Sequence, residues 1–164
     1  GIRGNINTRM KKVASSDYLG AIFAKSGLMR TNILPENAEV LEWMVPAPAQ
    51  GALVIVGKSD DIELNQKVNR LNHHESQLAV SIERAFLKTL EGGCTAPIGA
   101  LAIVTGNNVR FTGIINSLDG HTELKIEKTS EDARMELGEI YAQELLSSGG
   151  KELMKDIKSQ ADEK

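Results

Sequence analysis

Ile98-Gly99-Ala100-Leu101-Ala102-Ile103-Val104-Thr105 is followed by Gly106-Asn107-Asn108, then by Val109-Arg110-Phe111-Thr112-Gly113-Ile114-Ile115-Asn116. After Asp119-Gly120 comes a third run, His121–Lys128. Runs of this length, rich in β-branched and aromatic residues and separated by Gly/Asn/Asp pairs, predict an antiparallel meander of three strands at 98–105, 109–116 and 121–128. A sheet of three strands needs one face covered, and the flanking segments supply the cover. Upstream, Asp60 with Glu63 and Asn72 with Glu75 have capping-box spacing and announce helices over about 60–71 and 73–90. In the second, Leu78, Ile82, Ala85, Phe86 and Leu90 recur on one face, as core positions do. Downstream, Thr129 with Asp132 predicts a cap for a long helix to about Ser147, with Met135, Leu137, Tyr141, Leu145 and Leu146 as its apolar stripe; Gly149-Gly150 ends it. The Lys/Asp/Glu-rich end from Lys151 reads as a short solvated helix or a frayed tail.

The first part of the chain has a different rhythm. Asn5–Val13 reads as a short helix and Tyr18–Ala24 as a buried strand, with Gly27 opening the next turn. Pro35, Pro46 and Pro48 break up the next stretch, which holds an extended piece near Val40–Val45 and leads to a further strand candidate at Ala52–Val56. The fold class expected is therefore an α/β partial domain followed by an α+β domain, a three-stranded antiparallel sheet covered by helices. The expected organisation is an α/β portion over 1–47, a crossing segment and linker helix over 48–72, an α+β domain over 73–150 and a short helix or tail over 151–164.

The 164 residues are 41% apolar and 25% charged, with a net charge of −3, as in one or two globular domains. The slight negative charge argues against broad nucleic-acid affinity but leaves room for a local basic pocket that binds a small anion. No apolar run approaches the roughly 20 residues that a spanning helix needs, so no membrane partner is expected. A single cysteine excludes an intrachain disulfide framework and suits a reducing, cytoplasmic setting. That cysteine, Cys94, comes after Glu91-Gly92-Gly93 between a helix pattern and a strand pattern. Two glycines let the backbone turn sharply and project the sulfur from a loop, where a thiol can carry a covalent group; a lone cysteine is otherwise a small buried hydrophobe.

Arg3 and Arg9 flank the start of the first predicted helix, whose free amides favour an anion, and Arg30 comes after Ser26-Gly27-Leu28-Met29. The planar guanidinium binds a carboxylate through two parallel charge-assisted hydrogen bonds, which makes these three the candidates for holding carboxylates. His73 and His74 are adjacent at a helix start and point in different directions; with no CxxC or HxxxH pair, no metal site is expected.

Ile2-Arg3-Gly4-Asn5, Thr8-Arg9, Gly27-Leu28 with Arg30, Gln50-Gly51-Ala52, Asn72-His73-His74-Glu75, Glu83-Arg84-Ala85 and Leu90-Glu91-Gly92-Gly93-Cys94 with Pro97-Ile98-Gly99 succeed one another in a fixed order over almost the whole chain. In order and spacing they resemble the porphobilinogen deaminases, or hydroxymethylbilane synthases, in their C-terminal portion. The resemblance implies a transferase of tetrapyrrole and heme synthesis that joins porphobilinogen units head to tail, with loss of ammonia, on a dipyrromethane primer. It implies that Cys94 attaches that primer covalently and that Arg3, Arg9 and Arg30 bind carboxylates of the cofactor and the growing polypyrrole. The expected catalytic acid lies in an N-terminal domain absent from this sequence, so the chain is expected to be inactive alone and to lack the cofactor in isolation; exposed sheet edges make its association possible. A non-catalytic module binding a small anion or pyrrole acid is the alternative. Two departures from the family pattern stand out: Ala49 where glycine is usual, and Val56-Gly57-Lys58 where Glu-Cys-Arg is usual.

Overall fold

The computed structural model describes residues 2–90 and 96–162, which divide into two compact units, one up to Trp43 and one from Met44. The first holds two short helices, α1 (Ile6–Ala14) and α2 (Lys25–Arg30). Asn5 caps α1 by accepting the Thr8 N–H at 2.9 Å, one of the four amides a helix start leaves unpaired. The helices touch: a Cβ on Gly27 would lie 2.9 Å from the Ile6 side chain.

The strands expected at Tyr18–Ala24 and Ala52–Val56 do not form, and the extended piece near Val40–Val45 joins no sheet. A strand is a paired object, and none of these segments has a ladder partner among the described residues. Their apolar side chains are left in solvent, including Leu19, Leu53, Val54 and Val56. The apolar runs were legible; among the described residues no neighbouring strand pairs with them.

The second unit contains α3 (Ile62–Asn69), α4 (His74–Thr89), β1 (Ile98–Thr105), β2 (Asn108–Asn116), β3 (Glu123–Ser130), α5 (Leu137–Leu145) and α6 (Lys151–Asp162). The meander is as expected, in the order β1-β2-β3, with Ala102 opposite Phe111 and Phe111 opposite Lys128. The third strand starts and ends two residues later than expected, so Thr129 is a strand residue and not a cap. Both predicted capping boxes are offset by one: Asp61 caps α3 and the His73 ring caps α4, receiving the Ser76 N–H.

One sheet face is covered by α4 and α5. Ile82, Phe86, Phe111, Ile115, Tyr141 and Leu145 form its centre, with Phe86 edge-on to Phe111 at 5.0 Å and Phe111 tilted on Tyr141 at 5.2 Å. Burying each large apolar side chain contributes about 1.5–3 kcal/mol, and aromatic pairing adds about 0.5–1.5 kcal/mol. Gly138 sets how closely the two helices pack, since a Cβ there would sit 2.1 Å from the Ile82 carbonyl oxygen. Met135, expected in the apolar stripe, is 53% exposed because it precedes the first turn of α5.

Gly149, with φ +110, turns the chain at a kink over Leu146–Gly150, after which α6 continues. This last segment is more than a solvated tail: Met154 and Ile157 are buried in the same core.

The free edge of β1 is covered by polar groups from two directions. Pro46 accepts the Ala100 N–H at 2.9 Å, while α4 presents Glu83 to Ala102 N–H at 2.9 Å and Glu75 to Gly106 N–H at 2.7 Å. An exposed row of amides invites pairing with another chain, and these oxygens occupy two of them in β1 and the Gly106 amide of the adjoining turn.

Candidate cofactor and substrate site

Arg3, Arg9 and Arg30 all lie in the first unit, on or beside its two helices. Arg9 is half-buried: its guanidinium lies 4.4 Å from the centre of the Phe23 ring, and an Nη donates to the Ile22 carbonyl at 3.1 Å. Its Nε is buried without a hydrogen-bond partner among the described residues. The group is thus oriented by an aromatic face and one carbonyl while its charge is not neutralised. Sequence reading missed Ile22 and Phe23 as the orienting pair, having placed them in a strand; an aromatic residue so far along the chain from an arginine carries no local signal.

Arg3 and Arg30 are exposed. The Arg3 carbonyl accepts from the Lys12 ammonium at 3.1 Å, which draws a further cation to the start of α1. Among the described residues no carboxylate pairs with Arg3, Arg9 or Arg30. The local charge balance explains this: Arg3, Arg9, Lys11, Lys12, Lys25 and Arg30 face a single acid, Asp17, within the first thirty residues. This basic excess, hidden in a net charge of −3, suits an anionic ligand with several carboxylates.

Cys94 and the glycines before it lie outside the described residues. The flanking structure is defined: α4 ends at Thr89 and β1 begins at Ile98. The three arginines belong to one unit. His73 and His74 are exposed, and His73 serves as the α4 cap. Among the described residues, no three His, Cys, Asp or Glu side chains group as a metal site requires, and no helix is long and apolar enough to cross a membrane.

Glu83 stands out in the structure as the one buried charged residue among those described, although the sequence marks it only as part of Glu83-Arg84-Ala85. Burial pushes its carboxyl above the ordinary 4.5, outweighing the opposite pull of the Ala102 and Ala49 amides that it accepts. Its signal in the sequence was a glutamate one step from Ile82 on the apolar stripe of α4.

Two family descriptions match the chain. Residues 1–66 match "Porphobilinogen deaminase, dipyromethane cofactor binding domain", and residues 77–147 match "Porphobilinogen deaminase, C-terminal domain". The three arginines fall in the first match and Cys94 in the second. Among curated proteins, the chain is 41% identical over 159 residues to a porphobilinogen deaminase of Exiguobacterium sp., covering 95% of this chain and 52% of that protein. It is 36% identical over 163 residues to that of Listeria innocua, covering 96% and 52%, and 41% identical over 165 residues to that of Oceanobacillus iheyensis, covering 99% and 53%. The chain spans about half the length of the curated relatives it matches. With two family descriptions accounting for most of its length and identities of this size over nearly all of it, the chain belongs to the porphobilinogen deaminase family.

Proposed function

We propose that this chain is the cofactor- and substrate-carboxylate-binding part of a hydroxymethylbilane synthase, which condenses porphobilinogen head to tail with release of ammonia in cytoplasmic tetrapyrrole and heme synthesis. The observation that carries this reading is the set of three arginines, without acidic partners among the described residues, inside the match to the cofactor-binding description. A dipyrromethane bears acetate and propionate groups, and each added pyrrole brings two more carboxylates. Guanidinium groups that no protein carboxylate neutralises suit that load. The donor set therefore fits the group. Bound, the cofactor supplies the pyrrole carbon to which the first substrate is joined; Cys94 anchors it as a thioether, and Arg3, Arg9 and Arg30 orient its carboxylates.

In this reading residues 1–47 are the latter half of the second domain, 48–72 the crossing segment, 73–150 the cofactor-attachment domain and 151–164 its terminal helix. Four consecutive apolar residues, Leu53–Val56, are 57–89% exposed. Apolar side chains on both faces of an extended segment suit a strand inside a sheet that is covered on both sides. The partner that supplies such a sheet is the portion of the relatives that this chain does not span, which also holds the catalytic acid. The polypeptide alone is then inactive and retains at most affinity for small pyrrole acids.

Intact-protein mass spectrometry and turnover assays test this together. The isolated chain should carry a free Cys94 thiol and consume no porphobilinogen, whereas the full-length parent should carry a dipyrromethane on Cys94 and lose both adduct and activity on Cys94→Ala. An active parent without adduct after that substitution would remove the anchoring role. A stoichiometric adduct on the isolated chain would remove the claim that it is incompetent.

A further inference from the structure

Residues 46–50 form a turn, Gln50 N–H reaching the Ala47 carbonyl at 3.1 Å, that is held to β1 and α4 at one point each. Pro46 accepts the Ala100 N–H at 2.9 Å, and the Ala49 N–H donates to Glu83 Oε2 at 2.7 Å. The other oxygen of the same carboxylate takes the Ala102 N–H at 2.9 Å, so a side chain only 6% exposed bridges two amides that are distant in sequence. Prolines at 46 and 48 have no N–H and the Gln50 N–H goes to the Ala47 carbonyl; of the two remaining amides, Ala47 and Ala49, it is Ala49 that reaches Glu83. To present it, Ala49 adopts φ +62, a conformation that costs an alanine energy and a glycine almost none. Immediately beyond, every residue from Gly51 to Val56 is exposed.

We propose that Glu83 is a positioning residue: it latches the 46–50 turn to the free edge of β1 and thereby fixes the point and direction in which the apolar segment 51–56 leaves that edge. The proposal does not depend on the enzymatic reading, because both partners of the latch lie within the second unit. A carboxylate suits the task where an amide does not, since only a carboxylate accepts from both directions; the –NH₂ of a glutamine would face one of the two N–H groups. The left-handed Ala49 is the backbone conformation in which that amide meets Glu83.

Backbone ¹⁵N relaxation on the full 164-residue chain at neutral pH tests the latch without relying on global stability. In Glu83→Gln, order parameters at Ala47, Ala49 and Gln50 should fall from about 0.85 to below about 0.6, while those of β2 and α5 keep their wild-type values. Unchanged order at 46–50, or an equal loss in β2 and α5, would overturn the proposal; the latter would mark Glu83 as a general core residue. A second variant covers the case in which Glu83→Gln does not fold. Ala49→Gly relieves the strained φ, so it should lower the unfolding equilibrium constant of the wild-type chain about two- to fivefold. In the Glu83→Gln background, where nothing forces position 49 into that conformation, the gain should vanish. An Ala49→Gly variant that is destabilised in the wild-type background refutes the strained latch by itself.

Discussion

Three charged side chains illustrate how much of this molecule is decided residue by residue. Burial raises the Glu83 carboxyl above 4.5, so the folded chain keeps that proton to higher pH than the unfolded chain does. Stability from this group is fully present below 4.5 and is lost as pH rises through the folded value. Arg9 and Arg3, similar on paper, should part company. Arg9 stacks on Phe23 and binds the Ile22 carbonyl, and removing a cation–π contact and one hydrogen bond costs about 1–2 kcal/mol. Arg9→Ala should accelerate tryptic cleavage after Lys11 and Lys12 several-fold, while Arg3→Ala, exposed and without a side-chain partner among the described residues, should leave it within about twofold of wild type. In the full-length parent both substitutions should impair turnover. Normal turnover in both would refer the arginines back to structure.

At the level of elements, the α4–α5 contact and the α6 extension hold the second unit together. A Cβ at Gly138 would meet the Ile82 carbonyl at 2.1 Å and the Phe86 amide nitrogen at 2.9 Å, and two backbones cannot move aside as a flexible side chain can. Gly138→Ala should destabilise the chain by about 2–4 kcal/mol in urea unfolding. A loss under about 1 kcal/mol would mean that the helices separate freely. Ending the chain at residue 150 removes Met154 and Ile157 from the core. At about 1.5–3 kcal/mol for each buried side chain, the shortened protein should lose about 3–6 kcal/mol. A truncated chain with an unchanged urea midpoint would return α6 to the status of a solvated tail.

For the whole molecule, the outstanding physical feature is apolar surface without cover. Leu53, Val54, Ile55 and Val56 stand exposed in sequence, with Leu71 and Ile62 nearby in the chain. Uncharged β-prone segments of this kind pair with one another when their intended partner is missing. The isolated chain should therefore self-associate with rising concentration in light-scattering measurements, and Val54→Lys with Val56→Lys should suppress this while leaving its urea unfolding within about 0.5 kcal/mol of wild type. Persistent association in the double variant would assign the sticky surface to another part of the chain.

The residues alone determined the meander, because alternating apolar runs and Gly/Asn/Asp turns specify local pairing between neighbours in sequence. They also determined α1, α3 and α4 to within a residue or two, since caps and helical periodicity are short-range. The basic character near Arg3, Arg9 and Arg30 was legible for the same reason. Tertiary structure decided the rest. Tyr18–Ala24 and Ala52–Val56 have strand-like composition but no ladder among the described residues, because a strand exists only when a partner supplies its hydrogen bonds, and neither segment has a hairpin neighbour to do so. The orientation of Arg9 by Ile22 and Phe23, the burial of Met154 and Ile157, and the bridge from Glu83 to Ala49 and Ala102 all depend on groups brought together by packing. Such contacts leave no periodic trace along the chain, and they appear only when the sheet, the helices and the turns occupy the same space.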